Sequence, residues 1–135
     1  MSWDISIMRL SKEYQSVSDI PSDEQPLSIG SIENVHRAVS RVFPGTDWAD
    51  PAWGVWDAPF GSIEFNLGTE DPAMSMMLHV RAGPQVVPLI VTLCHVNQWH
   101  GIDCSYGDFI EKSVSPEQGL ECWATYRGRV LGTDN

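Results

Sequence analysis

The chain has 135 residues, 42% of them apolar and six of them Trp, which excludes wholesale disorder and suits one domain with a self-sufficient core. Eighteen acidic residues against eight basic ones leave a net charge of −10, which argues against nucleic acid or an anionic membrane as partner and favours a basic protein. No basic-then-apolar leader precedes Trp3, Val86–Val96 is too short and Pro-broken to span a bilayer, and Cys94, Cys104 and Cys122 lack zinc spacing, so a cytoplasmic chain with reduced, buried thiols is expected.

Trp3-Asp4-Ile5-Ser6-Ile7 alternates at period two and predicts a strand with Trp3, Ile5 and Ile7 inward. The polar stretch 11–27, broken by Pro21 and Pro26, predicts a long surface loop anchored by Tyr14, Val17 and Ile20. Ser31, or Ser28 one turn earlier, caps a helix with the apolar stripe Ile32, Val35, Val39 and Val42 or Phe43. Glu33 and Arg37 pair on its wet side, and Pro44-Gly45 ends it.

Residues 46–60 hold Trp48, Trp53 and Trp56 among Asp47, Asp50 and Asp57. A short strand over 54–57 is expected to hairpin onto Ile63–Leu67, with two of these indoles in the core and one at the surface. Ile63–Leu67 and Met74–Val80, both alternating and joined by a turn-rich stretch, predict a central antiparallel hairpin. Val86–Val96 predicts a second helix, apolar nearly all round, starting near Gln85–Val87 because Pro88 is tolerated only in a first turn. Gly101 is expected in the left-handed position after it. Residues 102–104 and 109–111 predict two short strands, and Ser115-Pro116-Glu117-Gln118 starts a C-terminal helix running to about Arg129 within an extension over 113–135.

These elements make a single α+β domain over 1–135: an antiparallel sheet with two helices on one face and a C-terminal helix added. Its β-α-β-β-α-β order is the split βαβ, ferredoxin-like arrangement. The other sheet face carries Asp4, Ser6, Met8, Glu64, Asn66, Ser75, Met77 and His79, where a partner, a second subunit or the C-terminal helix is expected.

His79 with Glu64 or Arg81 is the strongest candidate for chemistry, because an imidazole and a carboxylate on neighbouring strands can share a proton. No nucleophile, metal or phosphate-loop motif accompanies them, so no catalytic residue, metal ligand or cofactor is assigned. Cys94 and His95 are adjacent on a helix and point apart, and His95 and His100 share no face. His36 lies beside the first helix's stripe. Glu70-Asp71, and Asp103 with Asp108, fall short of a calcium loop's ligand count and are read as turn-forming and solvating.

Met1-Ser2-Trp3-Asp4-Ile5, the strand end Ile63-Glu64-Phe65-Asn66-Leu67-Gly68, Leu78-His79-Val80-Arg81, and Trp99-x-x-Ile102-Asp103-Cys104-x-x-Gly107-Asp108-Phe109 together resemble a set of small uncharacterised bacterial proteins beginning Met-Ser-Trp-Asp-Ile. The resemblance covers most of 1–112 and implies no activity and no site residues. In size and charge the chain is also similar to immunity proteins that block a secreted toxin.

The leading expectation is a non-enzymatic, acidic binding protein that occupies a basic protein partner, with an immunity-type inhibitor as one instance. Asp47, Asp50, Asp57, Glu70 and Asp71 steer the approach, and one of Trp48, Trp53 and Trp56 fills a pocket. The alternative is a small enzyme or ligand-binding domain with a sheet-face pocket around Glu64, Met77, His79 and Arg81. A homodimer packed through that face is a third.

Overall fold

The computed structural model describes residues 2–113 together with Pro116 and Leu120. In chain order the elements are β1 (Trp3–Met8), α1 (Ile32–Val42), β2 (Asp47–Asp50), β3 (Trp53–Ala58), β4 (Gly61–Asn66), β5 (Ser75–Ala82), α2 (Val87–Asn97), β6 (His100–Asp103) and β7 (Asp108–Phe109). All seven strands join one antiparallel sheet in the order β2-β3-β4-β5-β1-β6-β7. A mixed α+β architecture is therefore observed. The expected C-terminal helix lies outside the described residues, although Leu120 is buried in the core. Among the described residues, no helix is long and apolar enough to cross a membrane.

The period-two alternation of the three central strands becomes one continuous core. Trp3, Ile5 and Ile7 of β1, Ile63 and Phe65 of β4, and Met76, Leu78 and Val80 of β5 are buried against Val35 and Val39 of α1 and Ile90 and Leu93 of α2. Both helices thus cover the same face of the sheet. Ser31 caps α1 as expected, its Oγ accepting from the Asn34 N–H at 3.1 Å. Phe43, just past the helix, packs edge-on to Trp56 and beside Phe65, at ring distances of 5.0 and 5.4 Å.

Five local expectations need correction. Residues 47–50 form β2, an edge strand that their composition does not announce. It forms because β3 offers it a ladder and Trp48 closes over Gly54, where an added Cβ would come within 2.7 Å of the indole. The second helix ends at Gln98, whose φ is 58° and whose N–H closes the last turn on Cys94 and His95 carbonyls. Gly101 lies instead inside β6, where a Cβ would meet Ile110 at 2.9 Å and Cys94 at 3.0 Å; close packing of β6 against its neighbours calls for glycine there. That helix is buried along one side only, with Val96 exposed. Residues 110–112 are a 3-10 turn rather than the end of a strand, and Cys104 is exposed while Cys94 is buried.

The loop 11–27 is draped along the β6–β7 edge and held as a strap. Asp108 accepts from the Val17 N–H and the Ser16 hydroxyl, both at 3.0 Å, and the Leu27 N–H reaches the Arg9 carbonyl at 2.8 Å. Within the strap, Glu24 accepts from the Ser11 N–H and from the Ser11 and Tyr14 hydroxyls.

These ties hold three carboxyls below their usual range: Asp108 chiefly through the Val17 N–H, Glu13 through Lys112, and Glu24 through Ser11. A carboxyl whose folded pKa is depressed stabilises the fold above its unfolded value, about 4, and that contribution is lost as pH falls through the lower folded value. Hydrogen exchange, corrected for intrinsic rate, should show the Ser11 and Val17 amides losing protection below about pH 4 while β1 and β5 amides keep theirs. Equal acid sensitivity in strap and sheet would contradict this.

Candidate functional site: the helix-free face of the sheet

Strand pairing aligns the outward side chains in rows. Asp4 lies opposite His79, His79 opposite Glu64, Glu64 opposite Val55, and Val55 opposite Asp47. The next row runs Ser6, Met77, Asn66, Trp53 and Asp50, and a shorter one runs Arg81, Ser62 and Asp57. An irregularity between Asp47 and Asp50 lets both face the same way although they are three residues apart.

The centre of this face is a connected polar network. His79 Nδ1 is 3.0 Å from Asp4 Oδ1, and the Ser2 hydroxyl donates to the same oxygen. Trp53 reaches diagonally across β4: its Nε1–H donates to Glu64 Oε2 at 2.9 Å, and its ring stacks on His79 at 5.7 Å with planes 21° apart. The other Glu64 oxygen is held by the Arg81 guanidinium. Trp53 is half-buried and fixed at both its polar and its apolar side.

The expectation that His79 shares a proton with Glu64 or Arg81 is therefore revised. Asp4 and Glu64 both pair with His79 by register, but Asp4 holds the imidazole because Glu64 is engaged by Trp53 and Arg81. Met77 sits one row away with its side chain half-buried.

The eight residues expected to meet a partner divide by side of the sheet. Asp47, Asp50, Trp53 and Asp57 share the helix-free face by register. Trp56 is in the core. Trp48 packs on the helix side, stacked on His36 at 4.0 Å, and its buried indole N–H finds no acceptor among the described residues. Asp47 and Asp50 each also accept from a nearby backbone N–H, of Ala49 at 2.8 Å and Ala52 at 2.9 Å, which blunts the edge of the sheet. Glu70 and Asp71 are exposed in the β4–β5 connection, where Asp71 accepts from the Ile32 N–H at 3.1 Å at the start of α1.

A second cluster was not foreseen from sequence. His100 and Glu111 are buried together, with His100 Nδ1 3.1 Å from Glu111 Oε1 and the Gly101 N–H donating to Glu111 Oε2 at 3.0 Å. No periodicity points to this pair, since one residue opens a four-residue strand and the other sits in a 3-10 turn.

Burial, and then the Glu111 charge, push the Cys94 thiol well above its ordinary pKa; burial, and then Asp4 and Asp103, raise that of Cys104. Both are neutral thiols, the reverse of an activated nucleophile. Among the described residues, no group of three His, Cys, Asp or Glu side chains is placed to hold a metal ion. Compared with family models, curated proteins and solved structures, the chain matches none of them.

Proposed function

We propose that this protein works by binding, docking the helix-free face of its sheet on a basic surface of a protein partner. One observation carries the reading: five carboxylates, of Asp4, Asp47, Asp50, Asp57 and Glu64, share cross-strand rows with a single guanidinium, that of Arg81, around one pre-ordered, half-buried indole. Carboxylates steer and select a cationic partner, and an aromatic ring held in one orientation loses little entropy on contact. Glu70 and Asp71 extend the field from the neighbouring connection. An immunity-type inhibitor of a basic toxin is one form such a pairing takes, and free thiols suit a cytoplasmic setting.

The frame behind the site reads as a split βαβ, ferredoxin-like unit. Stripped of β2, β3 and β7, the order is β4-β5-β1-β6, with α1 and α2 connecting strands that are not neighbours. β2 and β3 then widen the sheet on the acidic side.

Immobilised protein should retain a basic protein from its own cells at low salt and release it as ionic strength rises past about 0.15 M, where charges farther apart than about 8 Å are screened. Retention indifferent to salt, or of acidic proteins only, would contradict the reading. Sedimentation separates it from a homodimer formed through the same face, which would persist without any partner.

A further inference from the structure

We infer that the recess at His100 is a binding site for a small carboxylate, occupied here by the protein's own Glu13. This stands apart from the sheet face and does not depend on it. The Glu13 carboxylate accepts from Lys112 Nζ at 2.9 Å through Oε2, and its Oε1 lies 3.6 Å from His100 Nε2.

The receptor and its tenant differ in kind. The His100 and Glu111 side chains are each only 5% exposed, whereas that of Glu13, on the strap, is 75% exposed. Glu111 holds Nδ1 of His100 from behind, so Nε2 faces the recess. Lys112 is steadied by the Tyr14 carbonyl and lies 5.0 Å over the Phe109 ring. A buried, pre-oriented imidazole beside a positioned ammonium is a carboxylate receptor, and it is built against the field of a chain whose net charge is −10. In keeping with this, Glu13 is held below its usual range first by the hydrogen bond from Lys112, with the charges of His100, Lys112 and His95 adding.

Behind the carboxylate is a hollow of about 140 Å³ that reaches Cys94 and Trp99. The hollow has room for a carboxylate of a few carbon atoms, its head beside His100 and Lys112. Gln98 lines the same hollow in a left-handed conformation that non-glycine residues seldom adopt, with φ 58°. An incoming carboxylate must displace Glu13, so binding and strap opening are coupled.

The test is a titration of the full chain with sodium butyrate, read by the NMR resonance of His100 Cε1, against sodium chloride at matched ionic strength. Glu13→Gln removes the competing charge and should give a saturable shift with an apparent affinity at least tenfold tighter than wild type. Adding Lys112→Met to Glu13→Gln should remove it. Should Glu13→Gln fail to fold, Glu13→Ala carries the same expectation. A chloride titration that reproduces the shift, or an affinity no tighter once Glu13 is removed, would overturn the inference.

Discussion

Gly61→Ala is expected to be the most damaging single-methyl change in the sheet, costing on the order of 3 kcal/mol or more and lowering Tm by about 10 °C. Gly61 opens β4 with φ 139°, where L side chains are strained, and an added Cβ would sit 2.3 Å from the Arg81 carbonyl oxygen and 2.4 Å from Ala82 Cα. Both obstacles are backbone of β5, so relief requires moving one central strand off another where Gly61 pairs with Ala82, beside the row that carries Arg81. Gly45 is the natural control. It also has positive φ, 85°, but nothing lies within 4 Å of its would-be Cβ, so Gly45→Ala should cost only about 1–2 kcal/mol. Equal losses in the two variants, measured by thermal or urea unfolding, would show that β4 and β5 are not locked as described.

Glu111→Ala comes next, at roughly 3 kcal/mol. It strips the partner from a buried imidazole and from the Gly101 N–H at once, in a place water reaches poorly. Glu111→Gln should cost less, because an amide oxygen can still accept one of the two bonds. Unchanged stability in Glu111→Ala would remove the pair from the account of how β6, the 3-10 turn and the strap are tied together.

Helix α1, the alternation of β1, β4 and β5, and the division of the sheet into an apolar and a polar face were legible because each is a local pattern: a Ser31 cap with a stripe at helical spacing, and residues that alternate at period two. Strand β2 was not legible, since Asp-Trp-Ala-Asp has no pattern of its own and becomes a strand only when β3 and Gly54 are there to receive Trp48. The site was half legible. Trp48, Trp53 and Trp56 stood out together as indoles among carboxylates, with nothing to single out Trp53, and His79 and Glu64 as a pair on adjoining strands. That Trp53 would cross β4 to join them depends on a register set by the β3–β4 turn, which no spacing within either strand reveals. The His100 cluster draws on residues 13, 100, 111 and 112, brought together by the strap's course over the edge, so its members read as surface and helix-end residues until the fold is known.

The measurement that bears most directly on the binding role is the affinity of wild type and Trp53→Ala for the basic protein retained from the cell. Trp53 is a side chain of the helix-free face, not of the core, so its removal should leave the fold intact by circular dichroism while weakening the complex about thirtyfold, as loss of a central aromatic contact of about 2 kcal/mol requires. A complex that binds Trp53→Ala as tightly as wild type would place the working surface elsewhere on the molecule.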